Sequence, residues 1–417
     1  MKPLLKRAAP KLALLLGGVL LFAFFSNDFG LVDIQKTAVI LAAGIDQTQE
    51  GYELTAQISV PKGGESAGGT ASVELTGRGE TVADCLMQMY ANSGWVPKFD
   101  FCSLVLLGEE TARTGAMPAL NYFLHNEYMS DDCAVAACEG RAGELLQKKS
   151  AIDDTPSLAI AKLFSGATEK SGATVKNTLR EFAVSTLGKA ESSFMPYIRA
   201  FPDGEGESAG GSAEGSSGNA GSGGGSEESS SGSGAGGSGD AGSGADQGEA
   251  PVLFRAEETA LFFRGRMTGL LSAEETFAYN LLMGHVSAGI LTVEGEDGLP
   301  VSLSIKRGTG KAALSDGESL RAELSVSLKV LVSDRAEEDF LAGTETNVAT
   351  RTDEARAEEL LRGYVSSLWE TCGESGCDLF LLARELYRRD PGRYEAEKER
   401  FPSGIGADIS VTVRGAE

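Results

Sequence analysis

The chain holds two histidines and two tryptophans among its 417 residues, and it carries no H-E-x-x-H or Walker sequence. So few imidazoles leave little room for histidine-based metal sites or Ser-His-Asp triads. Cations are also short: 37 Lys and Arg face 60 Asp and Glu, for a net charge of −23. That balance argues against nucleic acid, since phosphate contacts need clustered Lys and Arg. Apolar residues, by contrast, make up 41%, enough for real cores and against wholesale disorder. The length suits two or three domains. Glycine is in excess: there are 54, about double the ordinary share of roughly 7%.

A third of those glycines fall in one stretch. Residues 203–249 contain 18 Gly, 12 Ser, six Ala and nine acids, with no basic, aromatic or branched apolar residue. Nothing there buries enough surface to offset the entropy of ordering, so the expectation is a disordered acidic Gly/Ser-rich linker spanning roughly 40 Å. Gly232, Gly234 and Gly237 spell G-x-G-x-x-G. No strand pattern leads into them and no helix pattern follows, so the dinucleotide reading fails on context.

The N-terminus reads as a membrane-directed segment. Lys2, Lys6, Arg7 and Lys11 form a basic flank over residues 1–11, and an uncharged run from Leu12 to Asn27 is apolar through Phe25. This is either a transmembrane anchor over residues 12–29 or a signal peptide. No small-x-small cleavage site follows, and Phe24 and Phe25 suit an interfacial aromatic belt, so the pattern favours an uncleaved anchor with the bulk outside.

Beyond it the hydropathy patterns predict α+β structure: multi-domain mixed sheets with packed helices, divided into an N-terminal region 31–202 and a C-terminal region 250–417. Thr37–Ala43 reads as a buried strand. Tyr52–Val60, where Leu54, Ala56, Ile58 and Val60 alternate with polar residues, makes a hairpin with it. Helices are expected at Thr81–Tyr90, Met117–His125, Ala142–Lys149, Ser157–Phe164 and Val175–Leu187, with strands at Phe101–Leu107 and Cys133–Cys138. Pro196 and Pro202 read as closing the block. The second region begins with strands Glu258–Phe263 and Met267–Leu271 and a capping box, Ser272 to Glu275. Further strands are expected at Ala288–Val293, Val301–Lys306 and Arg321–Val332. Helices Glu354–Thr371 and Asp378–Arg388 follow, and the strand Ala407–Val413 comes last.

Candidate chemistry is sparse. His125 and His285 read as helix-end residues, and Glu274 and Glu275 as acids suited to a helix N-terminus rather than a catalytic pair. Asp33 and Asp46 together would offer a cation two carboxylates, but Asp46 reads better as shaping a turn. Arg384, Arg388 and Arg389, near Lys398 and Arg400, would meet an acidic partner or anionic head groups if they were not simply a solvated helix face. The six cysteines include two C-x4-C pairs, Cys133/Cys138 and Cys372/Cys377. Both reduced thiols and local disulfides remain open, while the spacing matches no standard zinc module. No catalytic residue, cofactor site or metal site emerges.

Several segments resemble a known family. Leu31-Val32-Asp33, then Ala38–Asp46 ending Gly44-Ile45-Asp46, then Tyr52-Glu53-Leu54-Thr55-Ala56-Gln57, resemble the "GID" and "LT-Q" strands that open the Ger(x)C family. Leu104–Arg113 is similar to its strand and "GEE-AR" helix start. Ala260–Phe263 with Met267–Ser272, Glu275 and Thr276 resembles its "VF…LVG-L…E" segment, and Asp378–Pro391 with Ala407–Val413 resembles its C-terminal helix and strand. Members are C subunits of spore germinant receptors. The resemblance implies a non-enzymatic, membrane-tethered subunit in the spore inner membrane, working with multispanning A and B subunits in receptor assembly or signal transmission. Direct contact with a small-molecule germinant stays open. The alternative is a stand-alone exported binding or adhesion protein with two recognition domains. Two departures stand out: the family's usual lipobox cysteine is missing, since the first cysteine is Cys85, and the acidic stretch is inserted between the halves.

Overall fold

A computed structural model describes residues 15–22, 37–61, 70–202, 250–315, 319–335 and 348–416. Asp33 and the acidic stretch 203–249 lie outside the described residues. Of the expected anchor, only residues 15–22 are described; they are helical, with Leu15, Leu16, Val19, Leu20, Leu21 and Phe22 exposed. No helix among the described residues is long and apolar enough to cross a membrane.

The large sheet takes nine strands: β1 (Thr37–Thr48), β2 (Gly51–Pro61), β3 (Thr70–Gly79), β4 (Val96–Lys98), β5 (Leu104–Gly108), β6 (Ala134–Cys138), β7 (Ser192–Pro202), β8 (Val252–Phe263) and β9 (Arg266–Leu271). Their order is β3-β2-β1-β5-β6-β7-β8-β9, with β4 beside the start of β1. The centre, β1-β5-β6-β7, is parallel and the flanks are antiparallel. Every residue of β5 and β6 is buried, as expected where helices cover both faces. Side chains alternate between two cores: Val105 and Leu107 join one with α1 (Val82–Ser93), α2 (Glu109–Leu124) and α6 (Leu179–Thr186). Leu104 and Leu106 face the other, with α3 (Ala142–Gln147) and α4 (Pro156–Leu163); α5 (Gly166–Ser171) lies between α4 and α6 in the chain.

The small sheet is β10 (Ile290–Glu294), β11 (Pro300–Leu314), β12 (Arg321–Arg335) and β13 (Gly406–Gly415), in that order. Helices α7 (Ala273–Leu282) and α8 (Arg351–Ser375) bury Leu281, Leu361, Val365 and Leu368 among its inward residues, and α9 (Leu382–Arg389) and α10 (Pro391–Glu397) close the end. The same core also takes Leu261 and Leu271 from β8 and β9. The two sheets therefore share one apolar interior.

The strand pairing changes the meaning of the acidic stretch. Strand β7, where Pro196 and Pro202 were expected to end the block, pairs antiparallel with β8 from Ser192↔Phe263 to Pro202↔Val252. Residues 203–249 thus connect two neighbouring strands of a single sheet instead of spacing two halves apart. Proline is tolerated in β7 because the β6 side of the ladder covers only Tyr197 and Ile198, so at Pro196 that side needs no donor. Strands β8 and β9 then join through Arg264 (φ 52°) and Gly265 (φ 75°), the two positive-φ residues that a tight hairpin requires.

Candidate functional site

The family-like motifs meet at the end of the large sheet where the parallel strands finish. Ile45, Leu107 and Ala137 stand level there. Helix α3 crosses so close to Gly44 that a Cβ would lie 3.1 Å from Ala142 and from Leu146. Two residues on, the buried Asp46 carboxylate accepts the N–H groups of Ala142 (2.8 Å) and Gly143 (2.9 Å) at the start of α3. An anion suits this position because the first N–H groups of a helix have no partner within it. Gly108 serves the same approach, since a Cβ there would sit 2.1 Å from Asp46 Oδ1. This corrects the expectation for Asp46: the turn falls at Gln49 and Glu50, and the carboxylate instead ties two non-adjacent segments together.

Charge surrounds that tie. Burial raises the Asp46 carboxyl above its usual range, opposed by the two N–H bonds and by Arg141, 3.9 Å away. Arg141 and Arg78 both grip Glu53. Thr111 donates to Ile45 O (3.0 Å) and accepts from Gln47 N (2.7 Å), fastening the first turn of α2 to β1. Gln57 donates to Leu146 O (3.0 Å) and Glu74 (2.8 Å) and accepts from Ser157 N (3.0 Å). The "GID", "LT-Q" and "GEE-AR" residues are therefore parts of one hydrogen-bonded joint. It floors an open cleft of about 1080 Å³ lined by Glu50, Glu80 and Glu110 as well.

A second joint holds the C-terminal region to the large sheet. Asp378, expected inside a helix, precedes it: α9 starts at Leu382, and the Asp378 carboxylate accepts from Leu382 N (2.9 Å) and Ala383 N (2.7 Å). Leu381 at φ 56° brings the chain around to allow this. The Asp378 N–H donates to Ser192 Oγ on β7 (2.9 Å). Burial pushes this carboxyl up to about 6, against the pull of the N–H pair and Arg384. Beside it, the Cys377 thiol donates to Ser193 O (3.6 Å) and Phe262 O (3.5 Å), and burial raises it to about 12.

The other candidates are spread over the molecule. His125 is exposed at the C-cap of α2, its Nδ1 2.8 Å from Asn121 O. His285 is exposed just past α7. Glu274 is exposed, whereas Glu275 is buried: it caps its own helix through Ser272 N (2.9 Å) and accepts the hydroxyls of Ser367 (2.6 Å) and Thr371 (2.7 Å) from α8. The basic cluster divides into local pairs, Arg389 with Glu385, Lys398 with Glu395 (2.6 Å) and Arg400 with Glu397 (2.6 Å), while Arg384 and Arg388 are exposed. All six cysteines are free and buried. Cys133 and Cys138 face opposite cores, five positions apart along a strand, so that C-x4-C pair is not bridged. Among the described residues no three His, Cys, Asp or Glu side chains gather as a metal site would need. In both joints an aspartate accepts two backbone N–H groups at a helix start, an arrangement that fixes helices in place.

Residues 31–200 match the family described as "Spore germination protein N-terminal domain", and residues 257–415 match "Spore germination B3/ GerAC like, C-terminal". The chain belongs to the GerAC spore germination family. The resemblance read from the motifs thus holds for both regions, and membership carries a role in spore germination as a C subunit of the Ger(x)C type. A solved structure described as "Crystal Structure of the GerBC protein" is similar at 16% identity, covering 90% of this chain and 97% of that one, with a TM-score of 0.45. No curated protein matches. The two family matches divide at the acidic insertion, although the β-sheet runs across it.

Proposed function

We propose that the chain is a non-enzymatic, membrane-tethered subunit of a spore germinant receptor. It acts in assembly or signal transmission beside two multispanning subunits at the spore inner membrane. The observation that carries this reading is the pair of family matches, in order, over residues 31–200 and 257–415. Two features support it. The motif carboxylates of Asp46, Glu53 and Glu275 are all engaged in holding elements together, which suits a scaffold. The helical residues 15–22 expose Leu15, Leu16, Val19, Leu20, Leu21 and Phe22 to no protein partner, a surface that hydrocarbon would accept. The deciding experiment deletes the gene and follows germination across single nutrients, then isolates the tagged chain from spore membranes. Loss of the response to some nutrients, with co-isolation of two multispanning proteins, is the expected result. Unchanged germination with every nutrient, in a strain without a redundant receptor, would overturn the proposal.

A further inference from the structure

The two ends of the large sheet differ in character, one apolar and the other charged. Where β1 begins, the start of β3, the close of β2 and the segment leading into β5 surround a groove of about 1040 Å³ with no charged side chain among the described residues of its lining. Phe101 is 70% exposed there, Trp95 and Val73 46% each, and Val60 37%. Val39, Leu41 and Leu75, all half-buried, and Ile58 add to the wall, whose polar share is Thr37, Ser59, Asn92 and Ser93. Soluble surfaces carry such residues singly; a contiguous group with an outward Trp and Phe marks a contact face. At the other end of the same strands lie Asp46, Glu50, Glu53 and Glu80. There too, Pro202 and Val252 launch and receive a stretch with nine acids. Along the strand direction the two ends are about 40 Å apart, at about 3.3 Å per residue.

We propose that this apolar end rests on the lipid bilayer, with Trp95 and Phe101 at the level of the head groups and upper acyl chains. The inference rests on the tether reading given above and adds an orientation to it. The covalent path selects the occupant. The apolar run ends at Phe25, and eleven residues separate it from Thr37, which itself lines the groove. A fully extended path of that length reaches at most about 40 Å, so Thr37 and the groove it lines stay within that distance of the membrane. Turning that end down takes an aromatic pair out of water, at the depth where Trp is favoured. It also keeps the nine acids and the carboxylate cleft farthest from an anionic leaflet, whose field dies away within about one Debye length.

The chain supplies its own probe, since Trp95 and Trp369 are its two tryptophans. Trp369, half-buried against the core, stacks on Phe380 and can be replaced conservatively. Full-length Trp369→Phe protein would be reconstituted into phosphatidylcholine/phosphatidylglycerol vesicles brominated high on the acyl chains, then floated on a density gradient. The expected result is flotation with Trp95 emission shifted to the blue and largely quenched. The added substitution Phe101→Asp, at a site too exposed to disturb folding, should leave flotation intact and restore the emission. Flotation with unquenched Trp95 would overturn the orientation while leaving the tether standing. Failure to float would overturn both. Shielding of Trp95 that appears only when the two multispanning subunits are added would assign the face to a protein partner and equally overturn the bilayer assignment.

Discussion

Asp46 and Asp378 perform the same local task in two different settings. Each is buried, and each accepts two successive backbone N–H groups from the first turn of a helix it does not belong to or that starts four residues on. Asp46 opens toward a charged cleft and has Arg141 beside it; Asp378 sits between sheet and helices with a carboxyl raised to about 6. The difference teaches what surroundings do to one capping device. Burial weakens both acids; at Asp46 it is opposed by Arg141 from 3.9 Å, and at Asp378 the opposing guanidinium is that of Arg384.

The contrast can be broken by substitution. Removing the Asp378 carboxylate with Asp378→Ala orphans two buried N–H groups while leaving the backbone link to Ser192 in place, and should cost about 3 kcal/mol in denaturant unfolding. Asp378→Asn keeps one acceptor and tests the charge. Between the ordinary 3.8 and about 6, the folded chain holds a proton that the unfolded chain has released. Stability from this group is therefore full below 3.8, falls as pH rises through about 6 and is level above it, with an amplitude of up to about 3 kcal/mol. The Asn variant should flatten that slope, and an unchanged slope would place the titration elsewhere. Asp46→Ala should cost less, about 2 kcal/mol, because water in the cleft can solvate the released N–H groups and Glu53 still holds Arg141. Equal losses at the two sites would refute the contrast. The smallest effect has the opposite sign: replacing residues 203–249 by a short turn should stabilise the fold by no more than about 2 kcal/mol, through cheaper loop closure between Pro202 and Val252. A large loss of stability would restore the spacer reading.

Where side-chain periodicity and burial agreed, the fold was legible. The alternation of Leu54, Ala56 and Ile58 marks β2, and the capping boxes at Thr81/Asp84 and Ser272/Glu275 mark true helix starts. Strand β3 escaped because as an edge strand it carries Val73 and Leu75 among Glu74, Arg78 and two glycines, a pattern without a stripe. Strand β7 escaped because Pro196 and Pro202 weigh against a strand unless its neighbours are known. That single omission turned an insertion within a hairpin into an apparent boundary. Asp378 was visible as an acid ahead of Leu379-Phe380-Leu381-Leu382, but its role depends on a left-handed residue at Leu381 that no propensity favours. Glu53 and Arg141, 88 positions apart, form part of a joint that only tertiary contact reveals.

Helix α8 has a mechanical consequence. Its 25 residues make a rod about 38 Å long. At one end Asp353 is gripped by Arg335 of β12 (2.7 Å) and closes a capping box with Thr350. At the other, Gly376 turns the chain directly into Cys377 and Asp378, which are pinned to β7 and β8. A rod fastened at both ends behaves as a strut: the small sheet cannot tilt without pulling on the joint in the large one. Any force applied at the Arg335 end would therefore arrive, one helix length away, at a carboxyl poised near neutrality.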